Sequence, residues 1–266
     1  MKLGDIPSHF RIPKLSYRVW KVWMRDRDVL MKTYKTTFLP PLLEPILYLL
    51  AMGFGLGGFV QLIDGESYIQ FIAPALVAVS MMFSSFFECT YGSFVRMYYQ
   101  KTFDAIIATP VSLEEVIAGE ILWGATKSLI NSTIVLGVIA AFGLTPSPLF
   151  LLIPPISFLV GLLFSAIAMC FTAISPTINS FEYPTFLFIT PMFLLSGTFF
   201  PLTALPASLQ ILAQLFLPLT HAVTLARGLV LGRLELTLLL NLAWLLVVTP
   251  FFFVLSINLM KKRLIK

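Results

Sequence analysis

Charge is what this chain has least of. Only 12% of its 266 residues are Asp, Glu, Lys or Arg, and 58% are hydrophobic. A soluble domain usually carries about 25% charged residues. Cysteine and histidine are scarce as well, represented by Cys89, Cys170, His9 and His221. Neither pair has a metal-ligand spacing, and both cysteines lie in apolar runs. A zinc site or disulfide framework therefore has no support, and two buried thiols is the simpler reading. No paired-carboxylate, Cys/His or G-x-S-x-G arrangement suited to catalysis occurs, and Ser84, Ser85 and Ser196 read as helix-packing residues. Residues 119–128 read G-x-x-x-x-G-A-T-K-S, a Walker A motif with two residues inserted before the lysine. A P-loop must follow a strand and open a helix in an α/β domain. This one lies inside an apolar run, so the chain is expected neither to bind ATP by itself nor to be an enzyme.

What the chain has instead is six long apolar runs, at 38–60, 68–90, 117–144, 149–174, 181–201 and 238–260. About 20 apolar residues span the hydrocarbon core of a bilayer as a helix. Inside lipid the backbone must satisfy its own hydrogen bonds, which favours helices, and a β-barrel would alternate apolar and polar residues. The expectation is an all-α polytopic membrane protein with six transmembrane helices. No stretch outside the runs is long enough for a separate soluble domain, so 1–266 reads as one transmembrane domain. No cleavable signal peptide is expected, because the first apolar run begins only at Phe38.

The basic residues are lopsided. Residues 1–36 hold nine of the 18, and Lys261, Lys262, Arg263 and Lys266 close the chain. Arg96 and Lys101 follow the second run, whereas the loop at 61–67 has Asp64 and Glu66 but no cation. The positive-inside rule then puts both termini in the cytoplasm and Asp64 outside. The net charge of +5 reads as orientation and lipid-headgroup chemistry, not nucleic-acid binding.

Lys14, Arg18, Lys21, Arg25, Asp28 and Lys32 recur at steps of four and three, which puts them on one helical face. Leu15, Val19, Val22 and Trp23 form the neighbouring apolar face. The spacing predicts an interfacial amphipathic helix over 14–35; docking a cytoplasmic partner is the alternative. Gly53 and Gly57 in the first run have a small-xxx-small spacing suited to close helix contact. Glu44, between Pro41 and Pro45, suits a helix N-terminus.

Between the second and third runs, within 94–112, Tyr99, Phe103, Ile106 and Ile107 fall at i, i+4, i+7 and i+8. They predict a short helix with one apolar stripe, stopped by Thr109-Pro110. Ser112-Leu113-Glu114-Glu115 then reads as a capping box. Such a helix suits insertion into a partner's groove or rest on the membrane surface. Glu120, Lys127 and Asn131 share one face of the next helix. Polar groups in lipid usually face protein or water, so these three line a pathway or bond helix to helix. Residues 201–236 are apolar but broken by Pro206 and Pro218. A single crossing there would move the C-terminal cations outside, so an outer re-entrant helical hairpin fits better.

Residues 100–120, Gln-Lys-Thr-Phe-Asp-Ala-Ile-Ile-Ala-Thr-Pro-Val-Ser-Leu-Glu-Glu-Val-Ile-Ala-Gly-Glu, resemble the cytoplasmic segment of ABC-2-type transporter permeases. Leu195-Ser-Gly-Thr-Phe-Phe-Pro201, Leu205-Pro206 and Leu217-Pro-Leu-Thr-His-Ala-Val223 resemble the fifth span and outer region of that family. The likeness covers nearly the whole chain and is closest to the branch of nodulation lipo-oligosaccharide and drug-efflux permeases. It implies a permease that dimerises and pairs with two copies of a separate ATP-binding-cassette ATPase. ATP and Mg would sit on that subunit, leaving no cofactor in this chain. Coupling to the ATPase would fall on Tyr99, Phe103, Asp104, Ile106 and Ile107. An amphipathic cargo leaving across the plasma membrane of a bacterial or archaeal cell is the implied function. An ion-coupled secondary transporter is the alternative, though it would want internal repeats and mid-membrane ionisable groups.

Overall fold

The computed structural model describes residues 12–60, 62–63 and 65–265, with side chains at 35–42, 44–45, 54 and 56 outside the description. The reading placed on Asp64 lies outside the described residues; Glu44, between Pro41 and Pro45, stands at no helix N-terminus, because the backbone there lies inside one helix over Val19–Leu49. No strand occurs among those described, only an isolated bridge between Ile63 and Glu66.

Helix α1 spans Val19–Leu49 and continues as a π-helix over Leu50–Leu56. The basic amphipathic segment from Val19 onward and the first apolar run therefore share one helix, whereas Lys14 to Arg18, expected to be helical, precede it. No Gly or Pro lies between Lys14 and Leu39 to interrupt it. Helix α2 covers Tyr68–Phe87 and runs on through π-helical turns at Glu88–Gly92 and Val95–Tyr99. A break at Lys101, whose φ of 54° is left-handed, separates it from the six-residue α3, Thr102–Ile107. The expected stripe is thus cut at its start, because Tyr99 belongs to the preceding helix. Helix α4, Leu113–Ala141, opens on the capping box that its sequence calls for. Ser112 donates its backbone N–H to Glu115 Oε2 at 2.8 Å, and Glu115 returns its own to Ser112 Oγ at 3.3 Å.

Helix α5 spans Ile153–Ile174 behind a 3₁₀ turn at Pro148–Leu152. The fifth apolar run follows as short pieces: a 3₁₀ turn at Ile178–Phe181, α6 at Glu182–Pro184, a π-helix at Thr185–Ile189 and α7 at Thr190–Leu195. Pro184 and Pro191 each remove a backbone donor, which explains the irregular turns. Helices α8, Ala207–Phe216, and α9, Pro218–Leu231, meet at a 90° bend. Leu217 is extended there because Pro218 disfavours helical dihedrals before it. Helix α10, Leu236–Leu264, closes the described chain.

Four helices among the described residues are long and apolar enough to cross a membrane: Tyr68–Tyr99, Leu113–Ala141, Pro148–Ile174 and Leu236–Leu264. The bent α8–α9 pair brings the number to five if it counts as one span. Helices α2, α4 and α5 form the centre, and Gly124 shows how closely they pack. A Cβ there would lie 2.3 Å from Ser165 Oγ of α5 and 2.6 Å from Cys89 Sγ at the end of α2. Gly53 likewise admits Ile69 of α2. Helix α10 instead leaves Leu239, Leu240, Val247 and Phe251 uncovered within the chain.

Contacts sort the element ends into two groups. At one end, Glu114 at the start of α4 accepts from the Lys14 backbone N–H (2.6 Å) and pairs with Lys261 of α10. Ser16 bonds Glu115, Arg18 bonds the Pro110 carbonyl, and Arg263 bonds the Thr172 carbonyl at the end of α5. Phe181 packs there on Tyr91 and Phe94, with ring centroids 5.2 and 5.4 Å apart. At the opposite end, Arg233 pairs with Glu66 ahead of α2 at 3.0 Å, and Arg227 donates to the Gly197 carbonyl at 2.9 Å. Tyr48 of α1 stacks on Phe199 there, centroids 6.4 Å apart. The first and last described segments therefore lie together at the basic end.

Candidate functional site

The basic end is held by charges that the apolar runs bury. Glu120 of α4 is completely buried, and its carboxylate is surrounded by donors. Arg96 at the end of α2 donates to it from Nε (2.9 Å) and Nη2 (2.6 Å), Ser93 Oγ at 2.7 Å, and Arg25 Nη2 of α1 at 2.9 Å. Arg25 also pairs with Asp26 at 2.6 Å, and Arg96 with Glu88 at 2.8 Å. Glu88 accepts in turn from Trp123 Nε1 at 3.1 Å and lies 3.8 Å from Lys127 Nζ. One network thus joins α1, α2 and α4. Burying a charge is costly unless it is paired and hydrogen-bonded, and Glu120 meets both conditions.

Glu120, Lys127 and Asn131 do not act as one group. Glu120 is absorbed by the two arginines, and Lys127 turns to Glu88 and to the Trp123 ring, 6.0 Å from its centroid. The Asn131 Oδ1 atom is buried without a hydrogen-bond partner among the described residues. Glu120 thus bonds helix to helix.

Sequence reasoning missed Arg25, Asp26, Glu88 and Arg96. The residue spacing puts Arg25 on a headgroup-facing stripe, and the end of the second apolar run puts Arg96 in a loop. The available signal was Glu88 and Glu120, two carboxylates inside or beside apolar runs, each needing a partner. Asp26, ahead of the first apolar run, has its pKa raised from 3.8 to about 7, first by burial and then by the nearby Glu120 charge. Arg96 and Arg25 pull the other way.

The short helix α3 hangs below this network and divides its expected stripe. Phe103 is fully buried in the chain's own core, and Ile106 packs against that core. The stripe residues left exposed are Tyr99 and Ile107, at 60% and 40%, and Asp104 lies beside Ile107 on the exposed face. Phe103 is thus an anchor: one buried phenyl contributes about 1.5–3 kcal/mol toward holding α3 in place. The outward face is Asp104, Ala105, Ile107 and Ala108.

The described residues contain no cluster of His, Cys, Asp and Glu able to hold a metal ion. Cys89 is a buried free thiol that donates to the Glu120 carbonyl at 3.4 Å. The 119–128 stretch lies inside α4, not in a phosphate-binding loop.

Long apolar helices with cations gathered at one end define an integral membrane protein. Residues 17–231 match the family described as ABC-2 type transporter, and the chain belongs to that family. It is 36% identical over 246 residues to Nodulation protein J of Sinorhizobium fredii, covering 92% of this chain and 93% of that one. It is 37% identical over 245 residues to Nodulation protein J of Rhizobium meliloti, covering 91% and 92%. Inner membrane transport permease YadH of Escherichia coli is 26% identical over 195 residues, covering 73% and 75%.

Proposed function

We propose that this chain is the membrane subunit of an ATP-driven exporter that moves an amphipathic molecule out of the cytoplasm or inner leaflet. A glycolipid or lipo-oligosaccharide is the first substrate class to test, followed by a hydrophobic drug-like compound. Energy comes from ATP and Mg on a separate ATP-binding-cassette subunit, present in two copies against a homodimer of this chain. The observation that carries the reading is the family match over 17–231. The exposed face of α3 supports it, since a short helix anchored by Phe103 and presenting Asp104, Ala105 and Ile107 offers a rigid element to a partner.

In the topology we propose, six helices cross the plasma membrane and both termini are cytoplasmic. Supporting this, α1 starts at the Glu115 end and reaches Phe199 at the other. The irregular helix from Ile178 to Leu195 likewise connects the Phe94 end to the Arg227 end. The α8–α9 pair follows Gly197 and ends at Arg233, both of which have partners at the same end, as a re-entrant hairpin requires. The 14–35 segment, which includes the start of α1, then rests at the cytoplasmic headgroup level.

Glu120 and Lys127 are engaged in ion pairs, so nothing favours ion-coupled secondary transport. Co-purification of this chain with the product of a neighbouring ATP-binding-cassette gene tests the assignment. The pair should hydrolyse ATP, and this chain alone should neither bind nor hydrolyse it. Stoichiometric ATP binding by the isolated chain sinks the reading.

A further inference from the structure

Beside the charge network a cleft of about 500 Å³ opens between α1 and the end of α2, lined by Arg25, Asp26, Val29, Tyr91, Arg96 and Gln100 among others. Two of its charged groups are incompletely used. Asp26 is 3% exposed, and its Oδ2 has no hydrogen-bond partner among the described residues. Arg25 Nη1 is buried and likewise lacks an acceptor, although Nη2 serves both Asp26 and Glu120. A buried polar atom left unmatched is costly, so an acceptor and a donor side by side in an open cleft ask for a ligand with both. Asp26 lies seven residues into α1 and Glu120 seven residues into α4. At 1.5 Å per residue, Glu120 lies about 10 Å from the start of α4. With the start of α4 at the membrane surface, as in the topology proposed above, that is headgroup depth, and the exposed Val29 on the rim offers an apolar strip to an acyl chain.

We infer that this cleft holds a phospholipid headgroup carrying a primary ammonium next to its phosphate, as in phosphatidylethanolamine. The ammonium donates to Asp26 Oδ2 near the Tyr91 ring, and a phosphate oxygen accepts from Arg25 Nη1. Asp26 Oδ1 bonds Arg25 and lies 3.9 Å from Arg96 Nε, leaving Oδ2 as the oxygen without a donor among the described residues. A quaternary ammonium has no N–H to give and is too bulky for a direct contact, and a glycerol headgroup brings no cation. The cleft therefore distinguishes headgroups by charge and by hydrogen bonding. The inference does not depend on the exporter assignment.

The test is lipid binding to the full-length chain in detergent at about pH 8, where the Asp26 carboxyl is ionised, read by native mass spectrometry and thermal shift. Phosphatidylethanolamine is compared with phosphatidylcholine and phosphatidylglycerol. Wild-type protein should prefer phosphatidylethanolamine by about tenfold. Equal binding of all three overturns the site without need of any variant. Asp26→Asn should abolish the preference while keeping phospholipid binding, and Arg25→Gln should weaken binding of all three. Asp26→Asn with the wild-type preference, or Arg25→Gln with undiminished binding, overturns the role of that residue. Glycerophosphoethanolamine, which has no acyl chains, should not compete; effective competition would make the site one for a soluble solute. ATP-dependent movement of labelled phosphatidylethanolamine between leaflets by the reconstituted complex would make the lipid cargo and overturn its residence.

Discussion

Arg96 and Glu120 meet at 2.6 Å, guanidinium to carboxylate, with the glutamate wholly shielded from solvent. The pair ties the last turns of α2 to the second turn of α4, directly above the break that launches α3.

Removing Glu120 should be severe. Glu120→Ala removes the acceptor that the half-buried Arg96 and Arg25 share, and losing one partner of a fully buried pair costs about 3–5 kcal/mol, an upper bound here. The thermal midpoint of the purified protein should fall sharply, and Glu120→Gln should recover part of it. An unchanged midpoint in both variants would show that the network adds nothing to stability.

The two faces of α3 should separate in their effects. Phe103→Ala opens a cavity in the chain's own core at a cost of about 3–5 kcal/mol, so the permease itself should become less stable. Ile107→Glu alters an exposed position and should leave that stability intact while reducing ATPase association and substrate-stimulated hydrolysis. Asp104→Ala should matter less, because exposed ion pairs contribute about 0–1 kcal/mol. The coupling role of α3 fails if Ile107→Glu supports wild-type transport in the reconstituted complex.

Topology is open to a labelling experiment. Cysteines placed at Leu62 and at Lys262, in a background lacking Cys89 and Cys170, are probed on intact cells with a membrane-impermeant thiol reagent. Both positions are exposed on the chain. Labelling at 62 and not at 262 is expected, and the reverse would invert the orientation.

Stability should also depend on Asp26 and pH. Its pKa is raised from 3.8 to about 7 in the folded chain. Between those values the folded form holds a proton that the unfolded chain has released, so stability is greatest on the acid side. It falls as pH rises toward 7, where the buried carboxyl must ionise. The thermal midpoint of wild type relative to Asp26→Asn, measured across pH 5 to about 8, should decline as pH rises. A flat difference would place the ionisation of Asp26 outside that window.

Gly124 should tolerate no side chain. A valine there would meet Ser165 and Cys89, where even a Cβ comes within 2.6 Å. Overpacking of this kind typically costs about 1–3 kcal/mol, and Gly124→Val should lower the yield of folded protein in the membrane fraction.

The helical, membrane-embedded character of the chain follows from its sequence alone. So do the cluster of cations at one end and the Ser112 capping box, because apolar run length, charge distribution and capping are local properties. The family too was legible, in residues 100–120 and 195–223. What local patterns could not carry was which way charged side chains turn. Arg25 shares a helical face with Lys14 and Lys32 in sequence, yet it points to Glu120, 95 residues away. Phe103 reads as part of a partner-facing stripe, but a left-handed Lys101 re-aims the helix and turns that ring into the chain's own core. Periodicity says that residues share a face; only packing says what the face meets. A buried carboxylate is stable only where several distant donors converge on it, and that convergence exists only in the folded chain.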